Sequence, residues 1–540
     1  MYLVTRTLAA AGLLWFAVTL GCSSSDTAND DTTGDTSSDT SQSDDTSDTT
    51  GDTGTDTSTE SDPADVTCDS AEALTEALAA ASAGDIIELS AGSYSGSFTV
   101  PTGVALRGGG EVIITAEGGA GIILTAGSAG VTSASTLTII GTQGAVVAHG
   151  DGEISLDGLT INAETGFALA LEGVQGSLTD IQLNGPISSL DDELLNTIGS
   201  SIDSRDAAVF GLVANNTSLE IERLSLTGFA GFGAAFVGSS ADWKIGVVQY
   251  CIGTSVYAED SSLSLRGLII ADATTGHAVS ALNAISYGIA STANADVVSD
   301  GITIERVKGV GIFAHESTSN HEGMSLFESQ LNGIWVQNTE GTDSIPALTL
   351  SDSIIEDNGS SAVVVRDSFG LEIDNSEIRG TVLRPIISGL EIDNHGDGLQ
   401  IIGTSGRIAL NTVVMHANER IGMLLDGGQN KESAVAAEFE LSDVCVTTEG
   451  SAGMYGLLSQ NGAPTRDDIT GIIVDDTLAE ADAAAMSEGT VLTVIDTNEA
   501  VPSSGGVMAN GLIGTNGLIG TNGALSEGGV SITDGVVGAN

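Results

Sequence analysis

The sequence predicts an all-β solenoid built from coils of three short strands, and three observations carry that prediction. The first is a recurring pattern: apolar, any, apolar, two turn residues, apolar, any, apolar. Period two on both sides marks two strands, and the two-residue step between them shifts the inward phase as a bend does. The second is spacing, with successive starts separated by 24, 20, 22, 24 and 23 residues over parts of the chain. The third is an apolar segment after each pattern, as in Gly311-Ile-Phe-Ala, Gly333-Ile-Trp-Val, Ala362-Val-Val-Val, Gly422-Met-Leu-Leu and Gly453-Met-Tyr-Gly.

The pattern stands at Ile154, Leu156, Leu159 and Ile161, then at Leu219, Ile221, Leu224 and Leu226. Trp243, Ile245, Val248 and Tyr250 read as the next coil, followed by Leu263, Leu265, Leu268 and Ile270. Weaker versions run through Ile302, Ile304 and Val307 and through Met324, Leu326, Ser329 and Leu331. Leu348, Leu371, Ile408 and Phe439 open the last four. The bends carry Asp157-Gly158, Glu222-Arg223, Arg266-Gly267, Asp352, Asp374-Asn375, Asn411-Thr412 and Ser442-Asp443, mostly types that tolerate turn geometry. A lone coil leaves its backbone groups unpaired, whereas a stack pairs them in parallel at about 4.8 Å per coil. Roughly sixteen such coils are expected from the length at that spacing. Leucine-rich repeats share the period but need a fixed Asn and leucine ladder that is missing here.

Composition sets the surroundings. The 540 residues hold 73 acidic and 15 basic side chains, a formal charge of -58, yet 41% are apolar, enough to bury a core. The acidity therefore belongs to the surface, and nucleic acid is excluded as a partner because phosphate needs the opposite field. Gly at 71 positions and Pro at only seven suit many tight turns without a collagen or linker profile. Beyond Cys22, the cysteines are Cys68, Cys251 and Cys445, an odd set that allows at most one bridge among them.

Residues 1–21 place Arg6 before an uncharged, mostly apolar run and end Thr19-Leu20-Gly21-Cys22, the form of a signal peptide too short to span a bilayer. The ending resembles a bacterial lipobox, which implies cleavage before Cys22 and acylation of that cysteine. Thr19 departs from the pattern, where leucine is usual. Residues 22–65 form an acidic Ser/Thr/Asp/Gly linker, with thirteen acidic and no basic residues in 23–65, and cannot bury enough surface to fold. Anchor and spacer together imply a lipid-anchored protein. Ser23 after the cysteine, rather than Asp, favours the outer membrane.

The folded part is expected over 66–500. It opens with a capping helix in which Asp69 caps, Glu72 supports, Ala73, Leu74, Ala77, Leu78 and Ala81 share a face, and Gly84 ends the element. A tail over 501–540 contains the six-residue repeat Asn510-Gly-Leu-Ile-Gly-Thr.

With Asn332-Gly333-Ile334 and Asn358-Gly359 before third strands, and an opening Asp85-Ile-Ile-Glu-Leu and Gly92-Ser-Tyr94, the repeat resembles the right-handed parallel β-helices of the pectin-lyase-like superfamily over about residues 66–480. That resemblance implies the fold. It leaves activity open, because the superfamily spans lyases, hydrolases, adhesins and inactive surface proteins.

Four sets of residues could carry chemistry, and each has a plainer reading. Asp157, Asp180, Asp352, Asp374 and Asp443 recur on one bend, but they spread along the stack and Asp there bonds its own turn. Arg366, Arg379 and Arg384 are expected to pair with surface acids. Asp393-Asn394-His395-Gly396-Asp397-Gly398 is the nearest match to a glycosidase carboxylate set, yet lacks a second acidic pair and reads as a glycine-rich turn. His315-Glu316 and His321-Glu322 lack zinc-site spacing and read as a loop. Trp243 and Trp335 are expected in the core. No catalytic residue, metal site or cofactor is assigned. The expected function is a non-catalytic, lipid-anchored envelope protein for surface binding or adhesion, with membrane and polysaccharide or other cell-surface ligands as partners. The alternative is a polysaccharide lyase or glycoside hydrolase.

The anchor gives the first test: Cys22→Ala should abolish incorporation of radiolabelled palmitate and release the protein from the membrane fraction. Undiminished labelling would reject the assignment.

Overall fold

The computed structural model describes residues 63–116, 118–141, 144–187, 209–274, 286–342, 344–382, 396–427, 437–447, 455–460 and 471–475, with positions 463 and 469, and a hairpin within 530–539. Cys22, the signal peptide, the linker, Arg384, residues 393–395 and the six-residue repeat of the tail lie outside them.

Each coil contributes two strands to one parallel sheet of 24 strands, here sheet A, and a third to a parallel sheet of 14, here sheet B. In the most regular stretch Ser218 pairs with Ser240 and Ser240 with Ser262, a period of 22 residues with no slip. Longer intervals follow where segments are inserted, as between Leu371 and its partner Ile408. The three-strand coil and its parallel stacking are as the sequence predicts.

The bends work as their residue types require. Gly158, Asp180, Arg223, Gly267, Asp352, Asn375, Thr412 and Asp443 all take the left-handed conformation, with φ between 43° and 61°. One coil is misread by the pattern: Ile245 is the left-handed bend residue at φ 57° and 58% exposed, not an inward position. Register pairs Ile221 with Trp243 and Leu224 with Gly246, so the inward set is Ala241, Trp243, Gly246 and Val248. The Ile302 and Met324 series likewise begin one strand late. Their first inward pairs are Val297 with Ser299 and Ser319 with His321, hidden from a hydropathy reading because three of the four are polar.

The remaining two corners satisfy the amides that strand pairing leaves over. Thr217 N donates to Ser239 Oγ at 3.0 Å and Ser239 N to Ser261 Oγ at 3.0 Å, each hydroxyl turning back to its own chain at Val237 O or Glu259 O. Asparagine does the same at the corner before sheet B, where Ser329 N donates to Asn358 Oδ1 at 2.9 Å and Thr381 N to Asn418 Oδ1 at 3.2 Å. Buried backbone donors are thus paired where the ladder breaks. Glycine follows this corner because the next coil is close: a Cβ on Gly333 would lie 2.5 Å from Ala362 O.

At the amino-terminal end the helix Ala71–Ala80 buries Leu74 and Leu78 as predicted. Its cap is Ser70 and not Asp69, with Ser70 Oγ accepting from Ala73 N at 3.2 Å. The helix closes at an extended Ala81, three residues before Gly84. Cys68 and Cys251 are free and buried.

Leu371 and Ile373 are wholly buried and flank the half-buried, outward Glu372. Ile373→Asp should therefore cost several kcal/mol, by placing an unpaired charge in a dry interior, while Glu372→Asp should be nearly neutral. Limited proteolysis should cut the first variant early, near residues 360–390. Equal resistance of the two would contradict the strand phase.

Candidate functional site

Sheet B carries two buried apolar faces. One belongs to the lumen of the stack, and the other is a separate cluster that includes Phe167, Phe210, Tyr257, Tyr287, Phe313 and Trp335. Alternation within a strand explains the split: in Val310–His315 the inward Ile312 and Ala314 join the core, while Phe313 joins the second cluster. Parallel sheets are usually covered on both sides, and of the two sheets only sheet B follows that rule, sheet A presenting exposed polar positions outward.

Register aligns the outward residues into rows. One runs Tyr257, Ala290, Phe313, Trp335, Val364, Gln400. Beside it a more polar row runs Thr125, His149, Glu172, Asn215, Val237, Glu259, Thr292, His315, Gln337, Arg366. Aromatic rings pack between coils, with Phe232 centred 5.8 Å from Phe210 and 5.1 Å from Tyr257, and Phe313 edge-on to Trp335 at 5.6 Å. Trp335 thus sits outside the lumen, whereas Trp243 lies in the core.

Parts of the polar row are satisfied internally. Tyr257 Oη contacts Glu259 Oε2 and Thr292 Oγ1, each at 2.9 Å, and burial pushes its hydroxyl well above the usual tyrosine range. Gln337 Nε2 lies 3.3 Å from His315 Nδ1. Other atoms are not satisfied. His149 Nε2, Asn215 Nδ2, Trp335 Nε1 and Gln400 Oε1 are buried without a hydrogen-bond partner, and all four belong to outward positions of sheet B. His149, Glu172, Phe232, Glu259 and Arg366 keep part of their surface in solvent, so the polar row borders solvent.

The candidates named from the sequence fall elsewhere or into pairs. Asp397 is no turn residue: it opens the strand Asp397–Ile402, is fully buried, and is gripped by Arg420, whose Nε donates to Oδ1 at 2.7 Å, and by Gln400. Burial outweighs these partners and holds its carboxyl above the usual range. A carboxylate so enclosed cannot serve a glycosidic oxygen. Arg379 pairs with Glu356 and Glu377, and Arg366 with Asp367, as expected. Asp180 pairs with Arg223, and Asp352 and Asp374 accept from Asn375 and Asn411. Among the described residues no three His, Cys, Asp or Glu side chains are grouped to hold a metal ion.

The two histidine–glutamate pairs are not a loop. His315 ends one strand on the outer face of sheet B, while His321 points into the lumen from the strand Thr318–Glu322. There Ser299 Oγ and Ser319 Oγ each lie 2.7 Å from a ring nitrogen, and burial pushes the imidazole down to about 3. His321 is a neutral, doubly bonded core residue.

The family comparison agrees with this architecture. The family model described as "right handed beta helix region" matches residues 210–414 and 287–455. The folded body is a right-handed parallel β-helix. No curated protein sequence matches the chain. Among solved structures, the β-helix is similar to the Dettilon tailspike protein at 8% identity and TM-score 0.35, covering 75% of this chain and 64% of that one. A periplasmic alginate epimerase matches at 9% identity and TM-score 0.30, over 74% and 84% of the two chains. The A-module of an Azotobacter vinelandii mannuronan C-5 epimerase matches at 14% and 0.26, over 75% and 94%.

His321 gives this β-helix an acid sensitivity. Its imidazole stays neutral down to about 3 when folded but takes a proton near 6.5 when unfolded, so the unfolded chain binds more protons between those values. Stability should fall as pH drops through that window. Melting points of wild type and His321→Leu between pH 7 and pH 4 should diverge, with the variant flatter. Parallel curves would contradict the buried neutral imidazole.

Proposed function

We propose that this protein is a lipid-anchored envelope β-helix that binds a neutral polysaccharide along the outer face of sheet B. The observation that carries the reading is the set of buried, unpartnered polar atoms on that face, His149 Nε2 and Asn215 Nδ2 in its early coils and Trp335 Nε1 and Gln400 Oε1 in its later ones. Native structures leave few such groups, because each costs about 1–3 kcal/mol, and a ligand that pairs with them explains their retention. Their spacing supports the class. Outward residues repeat every coil, about 4.8 Å, close to the advance of one pyranose along an extended glycan. The packed, half-buried ring of Phe232 offers apolar surface of the kind sugar rings cover.

Charge selects among glycans. A chain of net charge -58 repels polyuronates and sulfated polymers, and favours neutral ones. The anchor at Cys22 and the acidic linker would hold the body away from a membrane of like charge. Binding without cleavage fits the engaged state of the carboxylates described above.

Native affinity electrophoresis of the full chain tests this. Gels containing galactomannan or dextran should retard it, gels containing alginate or pectate should not, and Phe232→Ala should weaken retardation. Absence of retardation by either neutral polymer, or retardation by the polyanions alone, would overturn the reading. Steady release of reducing ends would replace it with the hydrolase reading.

A further inference from the structure

Three consecutive coils place His149, Glu172 and Asn215 side by side in the outward polar row, His149 paired with Glu172 and Glu172 with Asn215. Their backbones are therefore about 4.8 Å apart. Asn215 is only 3% exposed, and its Oδ1 accepts from Asn216 Nδ2 at 3.3 Å. The free group is the amide nitrogen, which has no partner. On the far side of Glu172 the Nε2 atom of His149 is also buried without one. A carboxylate thus stands between two unpaired nitrogens, in a row whose later members Glu259 and Gln337 are paired.

We propose that His149, Glu172 and Asn215 form a subsite that grips one sugar unit by a vicinal pair of hydroxyls. This rests on the glycan reading above and names the chemistry of one part of it. Each hydroxyl of such a pair both donates and accepts. Asn215 Nδ2 donates to one oxygen, Glu172 accepts the hydrogens, and His149 Nε2 meets the second oxygen. Other ligand classes fit worse. A cation would meet one carboxylate and the hydrogens of an amide, an anion would meet that carboxylate, and an apolar group would leave both nitrogens unpaired. Desolvation pushes the Glu172 carboxyl up and the His149 imidazole down, which disfavours an ion pair between them and leaves both open to a neutral ligand.

The test uses the full chain in dextran gels. Glu172→Gln and Asn215→Ala should each weaken binding about tenfold, the loss expected for one hydrogen bond involving a charged or buried group. Asn215→Ala should leave the melting point nearly unchanged, since removing a buried unpaired donor offsets the loss of the 3.3 Å bond from Asn216, whereas a merely structural Asn215 would lower it. Dextran oxidised by periodate and then reduced has lost its vicinal hydroxyls and should no longer retard wild type. If wild type is retarded while the two variants bind as well, or if the oxidised polymer retards equally, the subsite is overturned and the wider reading stands. If wild type is not retarded by dextran or galactomannan, the wider reading fails and the subsite with it.

Discussion

Parallel pairing between successive coils is the constraint on which everything else here depends. A strand such as Ser240–Gln249 has no partner within its own coil and bonds only to Ser218–Thr227 before it and Ser262–Ala271 after it. A slip of register by one residue would turn each inward residue outward, since side chains alternate. The corners therefore have to hold phase through every turn. They do so with a left-handed residue at the bend inside sheet A, and at the other two corners with hydroxyl or amide side chains that reach the amide of the coil before.

Holding register has a second consequence. It lines up outward residues into rows, so that a single substitution on one coil joins a continuous chemical surface. On sheet A those rows are polar and carry cross-coil ion pairs such as Asp242 with Arg266 and Asp272 with Arg306, both partners solvent-exposed or half-exposed and of small energetic weight. On sheet B they are apolar and aromatic beside a polar row that is incompletely satisfied. The difference between the two outer faces, rather than any isolated motif, is what the proposed glycan site rests on.

Much of the fold was legible because its determinants are local. Leu219, Ile221, Leu224 and Leu226 announce their coil by hydropathy alone, and Asn375 or Gly267 announces a bend by backbone tolerance. Reading failed where tertiary context overrode type. Ile245 occupies a left-handed bend with no local signal, and the lumen accepts Ser299, Ser319 and His321 because the imidazole bonds Ser319 on its own strand and Ser299 on the coil 22 residues before. Ser70 displaced Asp69 as helix cap by a one-residue difference that composition does not resolve. The candidate site was the least legible part. His149, Glu172 and Asn215 are separated by up to 66 positions in sequence, and only the register of sheet B makes them neighbours.

That register can be measured directly. Ser240 and Ser262 are outward partners on adjacent coils, so the double variant Ser240→Cys with Ser262→Cys should be joined rapidly by a bifunctional thiol reagent spanning about 5 Å, the distance between paired strands. Ser240→Cys with Ser264→Cys, two residues out of register, should react more slowly under the same conditions. Faster joining of the second pair, or no difference between them, would contradict the stacked, 22-residue coil from which the rest of this account follows.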